Sequence, residues 1–246
     1  MGRFQRVIAI SGANGRLGRR LLMEFSLLNQ ATSGPSREAL NWADLDSVRR
    51  FLAERGPAIV VALASFTDVS AAERLPLRLK IDTIDTALTT AKAAQELGLP
   101  CLYVSTDYVV PLLRGEDGCA YAVAKRKAES AVLAHQGQVV RLAFTTPEQV
   151  AGWQWVNDYS LANRNWVEDA ARELAQYVVG GEWESVAEIG PPMARTPANL
   201  LRGRYPHHSA LLDTVVTPKE MHRRVGYAAP KDSRFWQSSR AKMTGG

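Results

Sequence analysis

RVIAISGANGRLG, residues 6–18, decides how this chain is read. Its first half, Arg6–Ser11, is a short apolar run of the kind that forms a buried strand. Gly12, Gly15 and Gly18 follow at a spacing of three. Beyond them, Leu17, Leu21, Leu22, Phe25 and Leu28 recur at helical spacing, which predicts a helix over Arg16–Asn29. Glycines in a turn are often only a turn. Between a strand and a helix they also let the backbone bend sharply, approach a pyrophosphate and pack the helix on the strand. The helix N-terminus, with its free N–H groups and macrodipole, then favours an anion. Gly12, Asn14, Gly15, Arg16, Leu17 and Gly18 are therefore candidate cofactor contacts.

Outward from this unit, apolar runs and helical patterns alternate. Ala58–Ala64, Pro100–Ser105 and Gln138–Phe144 read as strands; Leu45–Arg55, Leu79–Leu97 and Ala120–His135 read as helices. Asp44 or Asp46 can cap the Leu45 helix, and Gly98 stops the long one. Apolar rather than alternating strands, each followed by a helix, predict an α/β protein with a Rossmann-like, doubly wound parallel sheet. After Phe144 the pattern changes. Residues 145–165 hold Trp153, Trp155 and Tyr159 without a clear period, and Trp166–Val179 is again helical. Residues 181–246 are irregular, with one helix expected at Pro218–Val225. The expected organisation is a dinucleotide-binding domain over 1–145 and a reduced substrate-binding lobe over 146–246, with the 165–180 helix returning to the first core.

A chain of 246 residues, 46% hydrophobic and 22% charged, can bury a substantial core. It has no apolar run long enough for a bilayer and no signal-peptide pattern at its start, so no membrane is expected. Two cysteines, Cys101 and Cys119, make neither a disulfide framework nor a metal site, and a reducing cytoplasm is the simplest location. His207, His208 and His222 match no ligand spacing, so no metal is expected. The net charge of +5 suits an anionic small molecule. Nucleic acid is not expected, because no basic block carries interleaved aromatics.

After the second strand an NAD site usually offers Asp or Glu to the ribose. Here Gln30–Arg37 has no carboxylate but provides Ser33 and Arg37, which favours NADP(H), with NAD(H) as the alternative. Arg37 also reads as a solvated loop charge. Farther on, VSTDY (104–108) ends a strand, where ligands sit in open α/β sheets. Ser105 or Thr106 can donate a hydrogen bond to a carbonyl oxygen. In YAVAK (121–125), Tyr121 and Lys125 stand four apart on one helix face. An ammonium beside the phenol lowers its pKa and makes it a better proton donor. Alone this pair is a common helix-surface pattern; beside a glycine turn and VSTDY it is half of a redox site.

GANGRLG (12–18), ALASFTDVSAAE (62–73), VSTDYV (104–109), YAVAK (121–125) and NWVEDAA (165–171) occur in the order found in the extended short-chain dehydrogenase/reductase superfamily. The chain resembles its dTDP-4-dehydrorhamnose reductase group, and KDSRFWQSS (231–239) weakly resembles a C-terminal segment there. The resemblance implies NAD(P)H-dependent reduction of a 4-keto-6-deoxy nucleotide sugar. It implies Thr106, Tyr121 and Lys125, with Ser105, as the catalytic set. It places Gly12, Gly15, Gly18, Ala64, Ser65 and Lys125 on the cofactor and Asp44-Leu45 near the adenine. Thr67, Asp107, Trp153 and Arg234 become candidate substrate contacts. It also implies a homodimer through Leu79–Leu97 and Ala120–His135.

Three departures bear on the substrate. Val109–Ala120, before the tyrosine, is short; so is the region between the RLAF strand and WVEDAA; and Asp82 stands where the superfamily commonly has Asn. A nucleotide-linked keto sugar is the leading expectation and a smaller tailoring-pathway ketone follows it. The rivals are a non-catalytic, cofactor-binding regulatory or assembly subunit and a sugar-nucleotide epimerase or dehydratase.

Overall fold

The structure is a computed structural model and describes residues 7–151 and 164–190. β1 (Val7–Ser11) leads through the glycine turn into α1 (Arg16–Leu27), followed by β2 (Ala31–Ser33), α2 (Leu45–Arg55) and β3 (Ile59–Ala62). Next come α3 (Pro76–Leu79), a π-helical turn (Lys80–Asp85), α4 (Thr86–Glu96) and β4 (Cys101–Ser105). A 3-10 turn (Asp107–Val109) and α5 (Val110–Leu113) precede α6 (Ala120–Ala134) and β5 (Gln138–Arg141). β6 (Ala143–Thr145), α7 (Pro147–Ala151), β7 (Arg164–Trp166), α8 (Val167–Gly180) and β8 (Val186–Glu188) complete the described chain.

The main sheet runs β2-β1-β3-β4-β5-β8, with every neighbouring pair parallel. Alternation along its strands divides the core in two. Ile8, Ile10, Val61, Leu102 and Val104 face α1 and α8, where they meet Leu21, Phe25 and Leu174. Ala9, Val60, Ala62, Cys101 and Tyr103 face the opposite helices and meet Leu52, Ala91 and Val132. Both faces of each strand are apolar because both are covered, as expected for a parallel sheet. Phe25 is fully buried and contributes roughly 1.5–3 kcal/mol by leaving water. α8 closes one face with Val167, Ala170, Ala171, Leu174 and Val178, a spacing that puts all five on one helical stripe.

Three expectations need correction. Gln138–Phe144 does not form a single strand: it divides at Leu142 into β5 and β6, and β6 leaves the main sheet to pair with β7. Continuous apolar sequence could not reveal that split. Leu79–Leu97 is not a uniform helix. The Thr86 hydroxyl bonds back to the Ile81 carbonyl (3.0 Å) across the π-helical turn, and Thr83 is tied to the loop after β3. β8 lies in a stretch expected to be irregular. It is three residues long and gains its order from pairing with the edge of β5. The Pro218–Val225 helix lies outside the described residues.

Candidate active site

Strand order reverses between β1 and β3, and two adjoining cavities open where those strands and β4 end. They share Gly12, Gly15, Leu63, Ser65 and Thr67 in their walls. The floor is backbone. Gly12 adopts φ +70°, and a Cβ there would lie 2.8 Å from the Ala64 nitrogen. A Cβ on Gly18 would lie 2.3 Å from the Gly12 oxygen. Only glycine fits at either position. Gly15 caps α1 without a side-chain bond, and no acidic residue occupies the first turn, which leaves that helix end open to an anion. Across the floor, the Ser11 hydroxyl accepts hydrogen bonds from the Leu63 and Ala64 N–H groups, both 3.1 Å, and so fixes the loop after β3 against the glycine turn.

One cavity is lined by Ser105, Thr106, Asp107, Tyr121 and Lys125, with Arg16, Leu17 and Gly18. Thr106 follows β4, and its hydroxyl accepts from the Tyr108 N–H at 3.3 Å and donates to Asp107 Oδ1 at 3.2 Å. Tyr121 enters on the first turn of α6. Its ring meets that of Tyr108 edge-on, with centroids 5.8 Å apart. The α6 N-terminus is fastened from outside by Glu73, whose Oε1 accepts from the Ala120 N–H at 2.7 Å. Ser105 is buried, and its hydroxyl is one of the groups that hold the Glu129 carboxyl down.

The electrostatics of the pair correct the expectation from YAVAK. Burial pushes the Tyr121 phenol well above its ordinary value, and Tyr108 and Asp107 push it further; only the Thr106 hydroxyl opposes them. Lys125 does not offset this. It is 3% exposed, its Nζ donates to the Val104 carbonyl at 2.8 Å, and it sits 4.3 Å above the Tyr103 ring. Burial lowers its own pKa to about 7, with Glu129 pulling the other way. Helical spacing placed the two residues in one cavity but could not say which partner the ammonium takes. Glu129, one turn below Lys125, is fully buried and paired with Arg141 (2.8 Å). Burial pushes its carboxyl up, but hydrogen bonds from Arg141 and Ser105 and the charges of Arg141 and Arg126 outweigh this and hold it below the ordinary value.

The second cavity is lined by Asn14, Ser36, Arg37, Asn41, Trp42 and Asp82, with Ala64 nearby. Ser33, Asp44 and Leu45 line neither cavity. Asp44 instead caps α2, accepting from the Ser47 N–H at 2.8 Å. The residues just before it, Asn41, Trp42 and Ala43, take its place in the wall. Their position immediately ahead of a capped helix was the available signal. Tyr108 and Gln149 are further wall residues that motif reasoning did not assign to the site, and Asp82, singled out as standing where the superfamily commonly has Asn, also lies in the wall. Trp153 and Arg234 lie outside the described residues, as do His207, His208 and His222. Among the described residues no group of three His, Cys, Asp or Glu side chains is placed to hold a metal, and no helix is long and apolar enough to cross a membrane.

With this geometry in hand, comparison with known proteins is decisive for the family: the RmlD substrate binding domain matches residues 6–144. The chain belongs to this family. A dTDP-4-dehydrorhamnose reductase of Streptomyces griseus is 33% identical to the RmlD-type chain over 147 residues, 55% of this chain and 48% of the relative. Methionine adenosyltransferase 2 subunit beta of Bos taurus is 29% identical over 143 residues, 52% of this chain and 43% of the relative. The chain thus spans about half the length of these curated relatives. Among solved structures, dTDP-4-dehydrorhamnose reductase from Bacillus anthracis, in complex with NADP, superposes with a TM-score of 0.75. The superposition covers 93% of this chain and 88% of that one at 18% identity, which establishes the shared Rossmann-like fold.

Proposed function

We propose that the protein is an NADP(H)-dependent ketone reductase whose substrate is a nucleotide-linked keto sugar. The observation that carries the reading is that the glycine cradle and the Thr106, Tyr121 and Lys125 side chains line one cavity. The cradle fits a dinucleotide: Cβ atoms on Gly12 and Gly18 would fill it, and the α1 N-terminus is free to meet a phosphate. Gly12, Asn14, Gly15 and Gly18 would hold the pyrophosphate, Arg37 a 2′-phosphate, and Ser65 and Lys125 the nicotinamide half. NADPH, when bound there, supplies the hydride.

The chain's own residues manage the oxygen. Thr106, with its hydroxyl proton turned from Asp107 to the substrate, donates a hydrogen bond to the ketone oxygen. Tyr121, whose raised pKa keeps its proton in place at neutral pH, donates that proton as charge develops on the oxygen. Lys125, once charged and turned toward the phenol, stabilises the phenolate left behind. Thr67 and Asp107 border the space left for the substrate. The anionic sugar nucleotide suits the net charge of +5. The reductase names among the relatives support the substrate class.

A second reading, a non-catalytic cofactor-binding subunit, is favoured by the match to methionine adenosyltransferase 2 subunit beta. Incubation with NADPH and a panel of nucleotide-linked keto sugars separates the two. Oxidation of NADPH with a reduced sugar product is the expected result. Tight NADPH binding without turnover on any ketone would replace the enzyme with the subunit.

A further inference from the structure

The cavity at the far end of the glycine turn has one cation and one carboxylate among the described residues in its wall, Arg37 and Asp82. They face each other across it: Arg37 Nη1 lies 3.6 Å from Asp82 Oδ2. Arg37 comes from the loop after β2 and its side chain is 65% exposed, whereas Asp82 is 18% exposed. The arginine is therefore the solvent-facing member of the pair and the carboxylate the more enclosed one. Asp82 also accepts from Arg78 Nε at 3.3 Å, on the same helical segment.

Two features hold Asp82 in the wall. It belongs to the π-helical turn, a local widening of the helix that often accompanies a functional position. That turn is fastened to the cavity by Thr83. The Thr83 hydroxyl, fully buried, accepts from the Phe66 N–H at 3.2 Å and meets Ser65 Oγ at the same distance. Ser65 and Asp82 are wall residues of one cavity, so this tie holds the backbone that carries Asp82 against it.

We infer that Asp82 sets how strongly the site prefers a 2′-phosphorylated dinucleotide. The inference rests on the cofactor reading above. A 2′-phosphate seeking Arg37 must take it from Asp82 and then stand beside an enclosed negative charge. A ribose hydroxyl meets neither penalty and can donate to the carboxylate. Asp82 thus tempers the preference for NADP(H) that Arg37 creates.

The test is a set of dissociation constants for NADP+ and NAD+ with the wild type, Asp82→Asn, Arg37→Gln and the double variant. Exposed ion pairs are weak, so Asp82→Asn is expected to tighten NADP+ about two- to fivefold. NAD+ affinity should stay the same or weaken slightly, which also reports an intact fold. In the Arg37→Gln background the gain should disappear. An unchanged NADP+/NAD+ ratio in Asp82→Asn, equal changes for both ligands, or a gain that persists without Arg37 would overturn the inference alone. Failure of the wild type to bind either dinucleotide would remove the cofactor reading and this inference with it.

Discussion

The glycine turn and the Tyr121–Lys125 corner lie in the same cavity but are built from different materials. The turn is backbone, and its shape is fixed by contacts that exclude any side chain at Gly12 and Gly18. The corner is side chain, and its chemistry depends on which proton sits where. Without a bound cofactor the phenol is pushed up, the ammonium is pushed down to about 7, and Lys125 is bonded to the Val104 carbonyl rather than aimed at Tyr121. The cofactor half is thus preformed, whereas the proton half has its residues in place but its charges unset. Cofactor binding, which brings new polar groups to Lys125, is the natural event to set them.

The largest expected effect breaks the proton half alone. Tyr121→Phe removes the phenol oxygen and should lower kcat by about 10²–10⁴, the usual contribution of a general acid. NADP+ affinity, measured by fluorescence titration, should remain within error. If both fall together, the two halves are not separable as described.

Gly18→Ala attacks the preformed half. Its Cβ would sit 2.3 Å from the Gly12 oxygen and 2.6 Å from the Ala13 oxygen, both backbone atoms that cannot step aside. Denaturant unfolding should show a loss of about 1–3 kcal/mol from overpacking, with weakened dinucleotide binding. An alanine variant of unchanged stability would mean that the turn is less fixed than these contacts require.

Lys125→Met should separate stability from activity. In the folded protein Lys125 titrates at about 7, against an ordinary 10.5, because burial disfavours its charge. The unfolded chain therefore binds more protons in between, and stability should rise with pH from about 7. Above 9.0 the buried Cys101 thiol, pushed up to about 12, acts in the opposite sense, since the unfolded chain loses a proton that the fold retains. The Lys125 contribution runs from about 7 to 10.5, and below 9.0 it is free of the Cys101 effect. In Lys125→Met it should vanish, and at pH 6 the variant should be more stable by roughly 1–3 kcal/mol while turnover is lost. A variant less stable than the wild type at pH 6 would show that the Val104 hydrogen bond outweighs the burial cost.

The same contrast explains what the sequence could reveal. Backbone requirements leave direct marks: three glycines between a strand and a helix announce both the fold and the floor of the site. The periodicity of Leu17, Leu21 and Phe25 announces the face that packs on the sheet. Side-chain partnerships leave weaker marks. Helical spacing placed Tyr121 and Lys125 together but not the Lys125–Val104 bond, which depends on how closely β4 runs beneath α6. Asp44 was legible as a cap and as an adenine contact, and the structure gives it the first role. Asp82 stood out in the sequence only as a carboxylate where the superfamily commonly has Asn. Its meaning depends on Arg37, 45 positions earlier, and on a π-helical turn that the sequence pattern did not distinguish from a plain helix.

The most direct test of a preformed cradle beside an unset proton donor is the titration of Tyr121, free and with saturating NADP+. Tyrosines labelled with ¹³C at Cζ report ionisation individually, and Tyr121→Phe assigns the resonance. The expected result is a phenol that titrates above its ordinary 10.0 in the free protein and falls when NADP+ binds. A Tyr121 already at or below 10.0 in the free protein, or one that NADP+ leaves unmoved, would contradict the account.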